Sequence, residues 1–81
     1  MILRILHARV CGPHVLEVLF NDGSTKKVDV AALLDGPVFE PLRDPAYFAR
    51  MSVDAVAGTV TWPNGADLAP EALRELPELI V

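Results

Sequence analysis

The sequence predicts an α+β fold: a three-stranded antiparallel meander, a central helix, a second β-hairpin and a short C-terminal helix. Three observations carry that expectation. Asn21-Asp22-Gly23 sits between two runs of β-forming residues and is the strongest hairpin signal in the chain. Asp44-Pro45 opens a helix, with Asp as N-cap and Pro at the first helical position. SVDAV and TVTW flank Ala57-Gly58 and read as a second hairpin.

Residues 2–10, ILRILHARV, alternate imperfectly, with Leu3, Ile5 and His7 facing one way and Ile2, Arg4, Leu6 and Ala8 the other. Apolar residues on both faces predict a strand partly covered on each side. Cys11-Gly12-Pro13 is a turn, because glycine and proline together break regular structure. HVLEVLF, residues 14–20, forms the second strand. Two registers are then open. A two-residue Asp-Gly loop sets Glu17 opposite Val28. A three-residue loop with Gly23 left-handed sets Leu16 opposite Val28 and Glu17 opposite Lys27, and gathers Leu16, Val18, Phe20, Val28 and Val30 on one face. A one-residue slip would move a whole strand between core and water, so the second register is the expected one. The exposed Glu17–Lys27 pair adds only about a few tenths of a kcal/mol.

VAALL, residues 30–34, makes a short helical turn ended by Asp35-Gly36-Pro37, and Val38, Phe39 and Leu42 are expected to plug the core. In the helix after Asp44, Tyr47, Phe48 and Met51 share one side. A two-residue Ala57-Gly58 loop sets Val53 against Trp62 and Ala55 against Val60. Pro63-Asn64-Gly65 turns the chain, and Pro70 starts a last helix over about 70–76 with Leu73 and Leu76 inward.

Eighty-one residues are expected to form one domain, residues 1–81, which buries roughly 60–65% of its unfolded surface. Hydrophobic content of 52% with 22% charged residues is that of a globular chain. No apolar run approaches the ~20 residues that span a bilayer, and MILRILHARV lacks the length and cleavage site of a signal peptide, so no membrane partner and a cytoplasmic location are expected. Cys11, the single cysteine, fits a reducing compartment. No internal repeat is visible. Seven basic against 11 acidic residues, a net charge of −4, disfavour direct nucleic-acid binding, for which Arg4, Arg9, Lys26, Lys27, Arg43, Arg50 and Arg74 would have to share a face.

The residues that invite a chemical reading are Trp62, Asn64, Gly65 and Asp67. One reading is a carboxylate at the lip of an aromatic pocket. The other, favoured here, is a structural corner in which Trp62 closes the core, Asn64-Gly65 supplies turn chemistry and Asp67 accepts backbone N–H bonds. His7, Cys11 and His14 make a poor metal set, since a closed zinc site needs four ligands and no second cysteine follows. Asp29, Asp35, Glu40 and Asp44 lack the opposed environments that acid–base pairs require, and Asp35 and Asp44 read as caps. The five glycines are scattered, so no phosphate loop is present, and Ser24 and Ser52 sit in turns without a base. Catalytic residues, metal and cofactors are therefore all expected to be none.

NDGS, then GPVFEPL (36–42), DPAYFARM and WPNGADLAPEAL (62–73) together resemble the bacterial domain-of-unknown-function family 2442, over nearly the whole chain. Ala69 departs from the serine or cysteine that relatives carry before the proline, which weakens the N-cap here. The resemblance implies an α+β fold with no established activity, fusion of some members to a helix-turn-helix domain, and frequent encoding beside another small protein. No second helix is expected after residues 70–76, so DNA contact would come from a partner. The expected function is a non-enzymatic protein-interaction or regulatory module, antitoxin-like beside a co-encoded small protein or acting as a homo-oligomer. The alternative is a small-molecule binder or enzyme using the Trp62–Asp67 corner.

Overall fold

The structure, a computed structural model, describes residues 2–79. Two three-stranded antiparallel sheets share one core. The first runs in the order β1 (Ile5–Gly12), β2 (Val15–Phe20), β3 (Thr25–Asp29), and the second β4 (Ser52–Asp54), β5 (Thr59–Thr61), β6 (Asp67–Leu68). Between them lie two 3-10 turns, Ala31–Leu33 and Glu40–Arg43, and the one-turn helix α1 (Pro45–Phe48); α2 (Pro70–Glu75) follows β6. The α+β expectation holds, and so does the first hairpin's register, with Leu16 opposite Val28 and Glu17 opposite Lys27. Leu16, Val18, Phe20, Val28 and Val30 are each no more than 1% exposed.

Several local expectations do not hold; the turn expected at Cys11-Gly12-Pro13, for one, falls at Pro13-His14, because β1 keeps pairing through Gly12 opposite Val15. In β1 the pairing steps from Ile5–Phe20 to His7–Leu19, so Leu6 is an extra, bulged residue. Ile5 is buried while His7 turns outward, and Ala8 and Val10 return to the core side. The second hairpin pairs Val53 with Val60 and Asp54 with Thr59, which leaves a four-residue loop, 55–58, in place of two. Asp54 builds that loop: its carboxylate accepts from Val56 N at 2.9 Å and Ala57 N at 3.1 Å, and its carbonyl accepts from Gly58 N at 2.7 Å. Arg4 closes it from outside by donating to the Ala55 and Val56 carbonyls at 2.9 and 2.7 Å. Gly58 is left-handed at φ +71°, and a Cβ there would meet Arg4 Cβ at 3.0 Å, so any other residue would be both strained and crowded.

Val38 is not a core plug. It is 46% exposed, while Leu42 is fully buried and Phe39 half-buried. Phe39 N donates to Gly36 O and Leu42 N to Phe39 O, a period of three that turns 39 and 42 inward and 38 out. Last, the chain after Trp62 adds β6, which makes a meander of the second hairpin through Val60–Leu68 and Thr61–Asp67 pairing. Glu17 pairs with Arg9 at 2.8 Å, its neighbour across β1–β2, and not with Lys27. That hydrogen bond and the nearby positive charge hold the Glu17 carboxyl below its ordinary range.

Helix α2 is fastened to the first hairpin by a polar clamp. Arg74 on α2 donates to the Asp22 carboxylate and, at 2.9 Å, to Ser24 Oγ, while its guanidinium lies 4.7 Å from the centre of the Phe20 ring. The Arg74 hydrogen bond, and then the Ser24 hydroxyl and amide, hold the Asp22 carboxyl well below the usual carboxylate range. A depressed carboxylate contributes stability above its unfolded pKa, about 3.9, and loses it as pH falls toward the folded value. Asp22→Asn is therefore expected to lower the melting temperature at neutral pH. That difference should shrink as pH falls through and below about 4 and as salt rises, because both partners are partly exposed. Thermal melts of both proteins across pH would show a constant gap if the clamp were inert.

Candidate functional site

The corner at residues 62–68 repeats a device already used at 20–24. Phe20 N donates to Ser24 O at 2.9 Å and Gly23 N to Phe20 O at 3.0 Å; Trp62 N donates to Ala66 O at 2.9 Å and Gly65 N to Trp62 O at 3.0 Å. The short side chain before each glycine accepts from the backbone two residues on: Asp22 from Ser24 N at 2.9 Å, Asn64 from Ala66 N at 3.1 Å. The two glycines have φ +89° and +88°. Each turn follows a buried aromatic residue at the end of a meander's middle strand, Phe20 as the last residue of β2 and Trp62 directly after β5. Two segments with little sequence in common thus make one turn, because a left-handed glycine after Asn or Asp is what a three-residue hairpin loop demands.

Trp62 is 3% exposed, its ring tilts against Phe48 with centroids 5.3 Å apart, and its Nε1 donates to Phe48 O at 2.9 Å. Asn64 does more than turn the chain: its Nδ2 reaches Val38 O at 2.9 Å and ties this corner to the 36–39 loop. Gly65 is exposed and supplies the left-handed φ. Asp67 does not accept backbone N–H bonds as expected: it lies on β6, exposed, its carboxylate makes no hydrogen bond or ion pair among the described residues, and the turn amide of Ala66 is taken by Asn64. The four residues are neighbours, yet the aromatic face points into the core and the carboxylate to solvent.

His14 carries the least anticipated geometry. It occupies the left-handed region at φ 61° in the Pro13-His14 turn, its Nε2 lies 3.1 Å from Leu42 O and 2.9 Å from Arg43 O, and its ring packs edge-on against Phe48 at 5.3 Å. Both acceptors are carbonyls, so Nε2 carries the proton. The His14 ring is a tether between two loops. His7 stands exposed on the outer face of the first sheet, and among the described residues no three His, Cys, Asp or Glu side chains gather in ligand geometry. Asp29 accepts from Ala31 N and Asp44 from Ala46 N, while Asp35 reaches Arg43 only at 3.6 Å and Glu40 is exposed.

A shallow cleft of about 210 Å³ opens on the outer face of the first sheet, lined by His7, Arg9, Glu17, Leu19 and Thr25. Arg9 and Lys27 flank Glu17 in one cross-strand row there, which puts two cations on either side of one carboxylate. Sequence reasoning missed this row because it depends on the register of all three strands at once. Among the described residues, no helix is long and apolar enough to cross a membrane.

No curated protein is detectably similar to the chain. Among solved structures, the Putative DNA Binding Protein NE0471 from Nitrosomonas europaea ATCC 19718 shares the fold with a TM-score of 0.69 and 26% sequence identity. The match covers 78% of this chain but 41% of that one, so the likeness spans less than half of the longer protein. That finding corrects the expectation that nucleic-acid binding is disfavoured. Net charge averages over the whole surface, whereas binding is decided by one face and, in a longer chain, by the segments joined to it. Residues 5–76 match the model of a family described as protein of unknown function, DUF2442, and the chain belongs to that family.

Proposed function

We propose that this protein is a non-enzymatic regulatory module that works by surface contact in a DNA-associated setting. The observation that carries the reading is the fold shared, at 26% identity, with the longer Putative DNA Binding Protein NE0471. The closed Trp62 corner supports it, since that corner offers turn geometry and a core contact, with the ring buried and Asp67 turned to solvent. The row of Arg9 and Lys27 on the outer sheet face is where this chain itself would meet a phosphate backbone. An antitoxin-like pairing with a co-encoded small protein is the narrower form of the same reading, supported by the net charge of −4.

Cross-linking the tagged protein in its host and sequencing the DNA recovered with it tests the reading. Enrichment at discrete sites over an untagged control is the expected result, and a profile identical to the control overturns it. Titration of a labelled duplex then separates direct from indirect contact. Direct contact weakens with salt at a slope of roughly one per phosphate neutralised, and Arg9→Ala with Lys27→Ala flattens that slope.

A further inference from the structure

Segment 34–44 contains no strand and only a 3-10 turn, yet side chains from distant parts of the chain hold it. Asn64 Nδ2 bonds Val38 O and His14 Nε2 bonds the carbonyls of Leu42 and Arg43, while within the segment Arg43 Nε bonds Leu34 O at 3.1 Å. Buried Leu34 and Leu42 anchor its two ends. Between its charged residues this framework presents apolar surface to solvent: Pro37 and Pro41 are exposed, Val38 is 46% exposed, and Phe39 is half-buried between them. A loop of this kind is held in one shape before any partner arrives, which lowers the ordering cost of binding.

The charge around it has one sign. Asp35, Glu40 and Asp44 stand exposed against the single cation Arg43, a local excess of two negative charges that matches the sign of the chain's net −4. We propose that the 35–41 loop is the docking site for a partner protein whose surface offers an apolar pocket for Val38 and Pro37, rimmed by lysine or arginine. The proposal rests on the reading of the chain as an interaction module. It names a protein and not DNA, because phosphates would meet the same carboxylates. A second copy presenting this loop to itself would set like charges face to face, and complementary potentials are what select partners and speed their encounter.

The test pans a displayed library of 12-residue peptides on the immobilised full-length protein, then titrates the selected peptide by backbone amide NMR. Selected sequences are expected to combine lysine or arginine with a large apolar residue, to shift amides of residues 35–44, and to bind more weakly as salt rises. Val38→Ser, and separately the exposed pair Asp35→Lys with Glu40→Lys, should each weaken binding about tenfold. Asn64→Ala should weaken it several-fold by freeing Val38 O while leaving every contacting side chain in place. Selection of acidic peptides, shifts mapping to the outer face of the first sheet, indifference to Val38→Ser, or failure to select any binder each overturns the proposal. If the loop variants are neutral while the protein still cross-links to discrete DNA sites, the loop assignment fails and the regulatory reading stands.

Discussion

Replacing Trp62 by alanine is expected to cost about 4 kcal/mol, a large share of the stability that a domain of this size commands. The indole is 3% exposed and sits between the second sheet and α1, against Phe48. Truncation removes its transfer free energy and leaves a void that neighbours on two layers cannot close together. Its Nε1 bond is a smaller part of the effect, because Phe48 O also accepts from Met51 N at 3.2 Å and would not be left bare. Trp62→Phe should therefore cost clearly less, about 1–2 kcal/mol for the lost hydrogen bond and the smaller ring. At about 4–8 °C per kcal/mol for a domain of this size, the two variants should separate widely in a thermal melt. Equal losses for phenylalanine and alanine would mean that the hydrogen bond, not the packing, holds the corner. Trp62 is also the only tryptophan, so its emission reports the same core. It should be blue-shifted in the native protein and unresponsive to small aromatic ligands, and quenching by such ligands would reopen the binding-site alternative.

The fold was legible in the sequence where local chemistry and burial agreed. Asn-Asp-Gly named the turn, and the alternation on either side of it chose the register, because a slip of one residue would have exposed Leu16, Val18 and Phe20 together. Asn64-Gly65 named the second turn in the same way. The misplaced elements depend on partners far along the chain. The 55–58 loop is held by Arg4, which lies 51 and 52 residues from its acceptors, and no window around Ala57-Gly58 contains that information. The Leu6 bulge is likewise invisible, since an imperfect alternation of apolar residues does not say where the extra residue falls. Val38 was misread for a related reason: in an irregular segment the inward residues follow a period of three, which apolar character alone does not reveal.

The candidate site was legible in its parts and not in their connections. Trp62, Asn64, Gly65 and Asp67 lie side by side, as their spacing requires. That Asn64 would span to Val38, and that His14 would clasp Leu42 and Arg43, follows only from the packing of three loops at one end of the molecule. A signal for His14 did exist. Histidine after proline at the third position of a turn is one of the few non-glycine residues that accept a left-handed φ, so the Pro13-His14 pair marked a site where backbone and side chain serve together.

His14 gives the second large effect, and it separates strain from contact. A left-handed φ costs a residue with a Cβ roughly 1–2 kcal/mol, and such strain persists only where the surroundings impose it. In His14→Ala the strain stays while the two carbonyl contacts and the edge contact with Phe48 go, for an expected loss of about 2–3 kcal/mol. His14→Gly loses the same contacts but relieves the strain, partly offset by the greater freedom of glycine in the unfolded chain, so it should melt above the alanine variant. The ordering glycine above alanine and both below the parent is the result that the geometry requires. Alanine equal to the parent would mean the tether carries nothing. The loss should also be local before it is global: hydrogen exchange at Phe39 and Leu42, whose amides close the 3-10 turns behind the tether, should quicken while the β2–β3 ladder keeps its protection. If exchange instead rises evenly across both sheets, His14 stabilises the core as a whole and the loop it clasps has no independent rigidity to lose.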